Sequence, residues 1–89
     1  SYLPVLADFF SQTCGPCHMM HPILERLAVR RAGQVAVVRI DVELHPELAR
    51  EFRVQGVPTF VVVHKGAERG RTVGATDESS FALWAASLT

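Results

Sequence analysis

Both cysteines of the chain fall in one five-residue stretch, Thr13-Cys14-Gly15-Pro16-Cys17. An apolar run, Val5 to Phe10, precedes it, and a helical pattern from His18 to about Arg31 follows it. A strand, a Cys-x-x-Cys turn and a helix is the setting in which this motif reads as thiol redox chemistry. A disulfide needs Cα atoms about 4.4–6.8 Å apart. Residues three apart on a helix are neighbours, so Cys14 and Cys17 can be bridged if the helix begins at the motif. Pro16 supports that start, because a first helical turn has no use for its missing N–H. Cys14 then stands at the helix N-terminus, where free N–H groups and the helix dipole favour a thiolate, the attacking species. Cys17, one turn inside, is expected to be the more buried thiol and to resolve a mixed disulfide formed at Cys14.

Two weaker readings stay open. As half of a zinc site the pair would need His18 and His21 to complete four ligands, since no third cysteine exists. As a passive structural disulfide it would close so short a loop that little chain entropy is removed.

Eighty-nine residues predict one domain, 1–89. Nine basic and nine acidic residues balance, so nothing suggests nucleic acid or an anionic membrane surface as a partner. No apolar run is long enough to span a bilayer. Ser1-Tyr2-Leu3-Pro4 has no secretory-leader pattern, although the numbering can begin inside a longer precursor. The low cysteine count fits a reducing, cytoplasmic compartment, with a periplasmic or secreted one left open.

Val5-Leu6-Ala7-Asp8-Phe9-Phe10 reads as a strand covered on both faces. The following helix carries Met19, Met20, Ile23, Leu24, Leu27 and Ala28 as an apolar stripe, with a kink expected at Pro22 and an end at Gly33. Val35 to Ile40 predicts a second buried strand, parallel to the first because a helix connects them. A short helix from Pro46 to about Phe52 follows, with Leu48, Ala49 and Phe52 inward. The Gly56-Val57-Pro58 break leads to a third strand, Thr59 to Val63. A turn at Lys65 to Glu68 leads to a fourth, antiparallel strand, Arg69 to Val73. Asp77 reads as the N-cap of a last helix reaching about Leu88.

Taken in order, Val5 to Phe10, Cys14-Gly15-Pro16-Cys17, Pro22, Arg39-Ile40-Asp41-Val42, Gly56-Val57-Pro58-Thr59 and Val73-Gly74-Ala75 resemble the thioredoxin family over essentially the whole chain. The resemblance implies an α/β thioredoxin fold. It would be a minimal four-strand mixed sheet, order 2-1-3-4, flanked by three helices and lacking the family's usual N-terminal strand and helix. The absent helix would normally share a sheet face with the Pro46 helix. Part of that face is therefore expected to be apolar and exposed, and a homodimer over it is one way to cover it.

The implied activity is a protein-disulfide reductase working through a mixed-disulfide intermediate, the Gly-Pro pair between the cysteines being that of reducing members. A disulfide oxidase or isomerase, or a binding module with little turnover, is the alternative. Cys14 matches the attacking thiol, Cys17 the resolving thiol, and Asp8 the buried aspartate that exchanges a proton with the resolving thiol. Pro58 matches a cis-proline facing the disulfide. Thr13, Gly15, Pro16, Val57, Pro58 and Gly74 match the substrate-binding rim, with Val57 pairing to an extended substrate segment. Arg39 stands where a lysine often lies near that aspartate, and His18 where a lysine or arginine often follows the second cysteine. The family usually has tryptophan at the positions of Phe10 and Thr13, so substrate choice departs there. The only tryptophan, Trp84, is expected in the core. No metal or organic cofactor is implied. The partners implied are disulfide-containing proteins and an external electron donor such as a thioredoxin reductase.

Overall fold

A computed structural model describes residues 2–89. Its elements run β1 (Val5–Phe10), α1 (Gly15–Arg30), β2 (Ala36–Asp41), α2 (Pro46–Glu51), β3 (Thr59–His64), β4 (Ala67–Val73) and α3 (Glu78–Leu88). The strands form one sheet in the order β2-β1-β3-β4, the expected arrangement. β1 pairs parallel with β2 and antiparallel with β3, and β3 pairs antiparallel with β4.

Alternation along β1 explains why its residues are nearly all apolar. Leu6 joins a core with Met20, Leu24 and Leu27 of α1, Phe60 and Val62 of β3, and Phe81 and Ala85 of α3. Ala7 and Phe9 face the other way, into a smaller cluster with Val61, Leu48 and Phe52. α1 and α3 thus cover one sheet face and α2 part of the other. Ring contacts tie each layer: Phe60 to Phe81 at 4.8 Å and Phe9 to Phe52 at 5.6 Å. Trp84 is half-buried at the core margin, 5.5 Å from Phe81. Met20 is buried, whereas Met19 is exposed.

Several local features differ from expectation. β2 stands at the sheet edge, as the 2-1-3-4 order implies, and is less buried than its apolar run suggests: Val38 is 41% exposed and Arg39 also reaches solvent. Together with half-buried Val5, Ala36 and Val63, Val38 leaves an apolar strip on the α2 side of the sheet. α1 includes Pro22 and ends at Arg30, near the expected end, with Gly33 (φ +81°) in the turn beyond. β4 begins at Ala67, two residues earlier than expected. Lys65 and Gly66 both have positive φ and close a two-residue hairpin turn, and Arg69 is an extra residue between paired Glu68 and Gly70. Asp77 caps α3 as expected, accepting from the Ser80 N–H at 3.1 Å. No helix among the described residues is long and apolar enough to cross a membrane.

Candidate active site

One end of the sheet gathers the residues singled out in the sequence. Register places Phe9 opposite Thr59, and Thr59 opposite Val73. The loop leaving β1, the residues entering β3 and the residue leaving β4 therefore meet at the same end. These carry Thr13-Cys14, Val57-Pro58 and Gly74.

Cys14 is the N-cap of α1, with extended backbone (φ −91°, ψ 110°) and Pro16 in the first turn. Its Sγ accepts the Cys17 N–H at 3.1 Å. Cys14 and Cys17 are joined as a disulfide with Cα atoms 5.2 Å apart. Cys14 is partly open to solvent and Cys17 is 1% exposed. An N–H already aimed at Cys14 Sγ, at the positive end of a 16-residue helix, favours negative charge there once the bond is reduced. In the disulfide state the two thiols are bonded to each other, His18 Nε2 donates to the Gln12 carbonyl at 2.7 Å, and His21 pairs with Glu25.

Asp8 sits in the middle of β1, 1% exposed, on the face covered by α1 and α3. Arg39, its register partner on β2, donates from Nε to Asp8 Oδ2 at 3.0 Å. Asp8 Oδ1 is buried with no hydrogen-bond partner. Burial raises the carboxyl above its ordinary range, and Arg39 offsets only part of that rise. The Arg39 guanidinium also stacks 3.9 Å from the Phe10 ring centre. Phe10, where the family usually carries tryptophan, thus holds the arginine that serves Asp8.

The Val57–Pro58 peptide is cis, and Pro58 is fully buried. The Gly74 N–H donates to the Pro58 carbonyl at 2.9 Å, so the two residues are held together. Gly74 has φ +95°, which favours glycine, and a Cβ there would point into open space. Thr13, Gly15 and Pro16 are exposed and Val57 is half-buried. The rim residues therefore present backbone and short side chains to an approaching chain.

The segment Ser11 to Thr13 leads from β1 into α1. It is tied down. Gln12 Nε2 donates to Asp41 Oδ2 at 3.2 Å, and Ser11 Oγ donates to Glu43 Oε1 at 3.4 Å. Asp41 also accepts the Glu43 and Leu44 N–H groups. Burial of Asp41 acts to raise its carboxyl, but the Glu43 N–H, Gln12 and the Leu44 N–H outweigh it and hold the group low. The one available signal was Asp41 at the end of a strand, a position where a carboxylate turns back to the next N–H groups.

A bonded cysteine pair at a helix N-terminus, at the same end of a mixed sheet as a cis-proline, is the arrangement expected of a thiol–disulfide oxidoreductase. The family model described as thioredoxin matches residues 1–87, and the chain belongs to the thioredoxin family. It is 42% identical over 78 residues to the thioredoxin of Mycobacterium tuberculosis, covering 88% of this chain and 67% of that protein. The same identity and span relate it to a bifunctional thioredoxin reductase/thioredoxin of Mycobacterium leprae, of which it covers 17%. It is 36% identical over 81 residues to mitochondrial thioredoxin of Mus musculus, covering 91% of this chain and 49% of the relative. The chain therefore spans about two thirds or less of the length of these relatives. Among solved structures, the germline-specific thioredoxin Deadhead of Drosophila melanogaster superposes with a TM-score of 0.93 at 29% identity, covering all of this chain and 84% of that one.

Proposed function

We propose that the chain reduces disulfides in protein substrates through a mixed-disulfide intermediate. The Cys14 thiolate attacks one sulfur of the substrate disulfide, forming the Cys14–substrate bond and releasing a substrate thiolate, which takes up a proton. The Cys17 thiol gives its proton to the Asp8 carboxylate and attacks Cys14 Sγ. That step closes the Cys14–Cys17 disulfide and frees the second substrate thiolate. Two electrons pass to the substrate, and an external dithiol donor, such as a thioredoxin reductase, returns the chain to the reduced form. The substrate lies extended over Val57 and Pro58 in the manner of strand addition, with Gly74 leaving room beside it and Thr13, Gly15 and Pro16 bounding it.

The observation that carries this reading is the asymmetry of the pair: Cys14 Sγ accepts a helix N-terminal N–H at a partly open position, and Cys17 is 1% exposed. The test is insulin disulfide reduction with a dithiol donor, paired with Cys17→Ser. The parent chain is expected to turn over, and Cys17→Ser to accumulate a covalent adduct through Cys14. Adducts formed equally well by Cys14→Ser would contradict the assignment. The proposed compartment is cytoplasmic, where dithiol donors keep such a pair reduced. For the apolar strip of Val5, Ala36, Val38 and Val63 we propose a second copy of the chain as the cover, and a strictly monomeric solution mass would rule that out.

A further inference from the structure

Cys14 is placed by the segment that enters α1, and that segment is held from outside its own backbone. β1 ends at Phe10, the register partner of Asp41 at the end of β2, and the Val42 N–H donates to the Phe10 carbonyl at 2.9 Å. Asp41 is therefore fixed by the sheet, and it is 7% exposed. Its Oδ1 accepts the Glu43 N–H at 2.9 Å and the Leu44 N–H at 3.4 Å. Its Oδ2 accepts from Gln12 Nε2 at 3.2 Å.

Gln12 is tied through its backbone as well. Its carbonyl accepts from His18 Nε2, near the start of α1, at 2.7 Å. One residue thus bridges the end of β2 and the start of α1, two positions before Cys14. Its neighbours add shorter ties. The Cys14 N–H donates to the Ser11 carbonyl at 3.3 Å, and Ser11 Oγ lies 3.2 Å from Thr13 Oγ1. Gln12 is exposed, so hydrogen bonds rather than packing hold its side chain, and a bond to an ionised acceptor is the stronger kind.

We propose that Gln12 is a positioning residue for Cys14: anchored on Asp41, it holds the loop so that Cys14 Sγ stays on the Cys17 N–H at the helix N-terminus. The inference rests on the reading of Cys14 as the attacking thiol. With the tie in place, the N–H 3.1 Å from Sγ and the helix dipole stabilise the Cys14 thiolate. Without it the loop relaxes, Sγ leaves that N–H for part of the time, and less of the thiol is ionised at neutral pH.

The test is the pH profile of iodoacetamide alkylation of the reduced chain, with the modified cysteine assigned by mass spectrometry. Gln12→Met keeps the length of the side chain and adds no charge but removes the donor. Gln12→Glu sets two carboxylates against each other. Gln12→Glu combined with Asp41→Asn rebuilds the hydrogen bond in reverse at unchanged net charge, and the new amide oxygen still accepts the Glu43 and Leu44 N–H groups. Both single variants are expected to raise the Cys14 midpoint by about half a pH unit or more, which is about a threefold loss of rate below the midpoint. The swapped pair is expected to return to the parent. His18 and Glu43, the titratable side chains bonded to this segment, are present in every variant, so their own titration cancels from the comparison. A Gln12→Met midpoint equal to the parent's overturns the proposal, because any effect of Gln12→Glu would then be one of charge alone. A swapped pair that stays with Gln12→Glu overturns it too. If Cys17 rather than Cys14 is modified first in the parent, the reading of the attacking thiol itself fails, and this inference fails with it.

Discussion

Asp8→Ala is expected to make the oxidised chain more stable and the reduced chain slower. Asp8 is 1% exposed, and its Oδ1 has no partner. A buried acceptor left unsatisfied costs about 1–3 kcal/mol. Against this stands the Arg39 hydrogen bond, but Arg39 is 30% exposed, reaches water and keeps its stack on Phe10 without Asp8. The loss of that bond and of a few packing atoms is worth about 1 kcal/mol. The net gain at neutral pH is then about 1 kcal/mol, or roughly 4–8 °C in the unfolding midpoint of a chain this size. Its pH dependence follows from the raised carboxyl. Below the ordinary value of 3.8 both states hold the proton and Asp8 costs nothing through its charge. As pH rises, the unfolded chain gives up the proton first, so the native state loses ground until the folded carboxyl also ionises. The electrostatic gain from Asp8→Ala is therefore expected to be absent in acid, to grow above about pH 4 and then to level off. Thermal unfolding of the oxidised forms across pH measures this. Insulin reduction at neutral pH is expected to slow at least about tenfold, a modest share of what a placed acid–base group supplies. A lowered midpoint together with an unchanged rate would refute the reasoning.

Gly74→Ala places a methyl in open space but at φ +95°, so it should cost about 1 kcal/mol in strain while the fold persists. Reduction of a folded protein disulfide should fall several-fold more than reduction of a small aromatic disulfide, and equal losses would argue against close approach at Gly74. Asp77, the α3 cap, is held down to about 2 by the Ser80 side chain and N–H and by Ser79. A depressed carboxyl stabilises above its unfolded value and loses that effect as pH falls through the folded one. Asp77→Ala should therefore lower the unfolding midpoint at neutral pH and match the parent near the acid end. A deficit that persisted undiminished there would show that the cap acts without its charge.

How far the sequence speaks depends on whether a feature is local. β1 was legible because both its faces are buried, which leaves Asp8 as the only charge in an apolar run. The start of α1 was legible because Pro16 and the cysteine spacing fix it within one turn. β4 was misplaced at its start because Ala67-Glu68-Arg69-Gly70-Arg71 carries no apolar alternation. Its pairing comes instead from the positive-φ turn at Lys65-Gly66 and the bulge at Arg69. β2 read as buried from its run alone because four of its six residues are apolar, while its edge place, which exposes Val38, was legible only from the strand order that family resemblance implies. At the site, the two thiols were readable from spacing, and Asp8, Pro58 and Gly74 from family resemblance. The stack of Arg39 on Phe10 and the ties from Gln12 to Asp41 and Ser11 to Glu43 bridge residues about thirty apart, and no local pattern signals them.

Equilibrating the chain with thiol buffers of known poise and trapping free thiols gives the reduction potential of the Cys14–Cys17 pair, which separates a reductase from an oxidase or isomerase. A reductant is expected to lie below the extraction range of the glutathione pool, about −220 to −260 mV, and close to the thioredoxin value, about −270 mV. A potential above that pool, about −180 mV or higher, would contradict reductase function and assign the site to oxidation or isomerisation, with Thr13 and His18 the first residues to exchange.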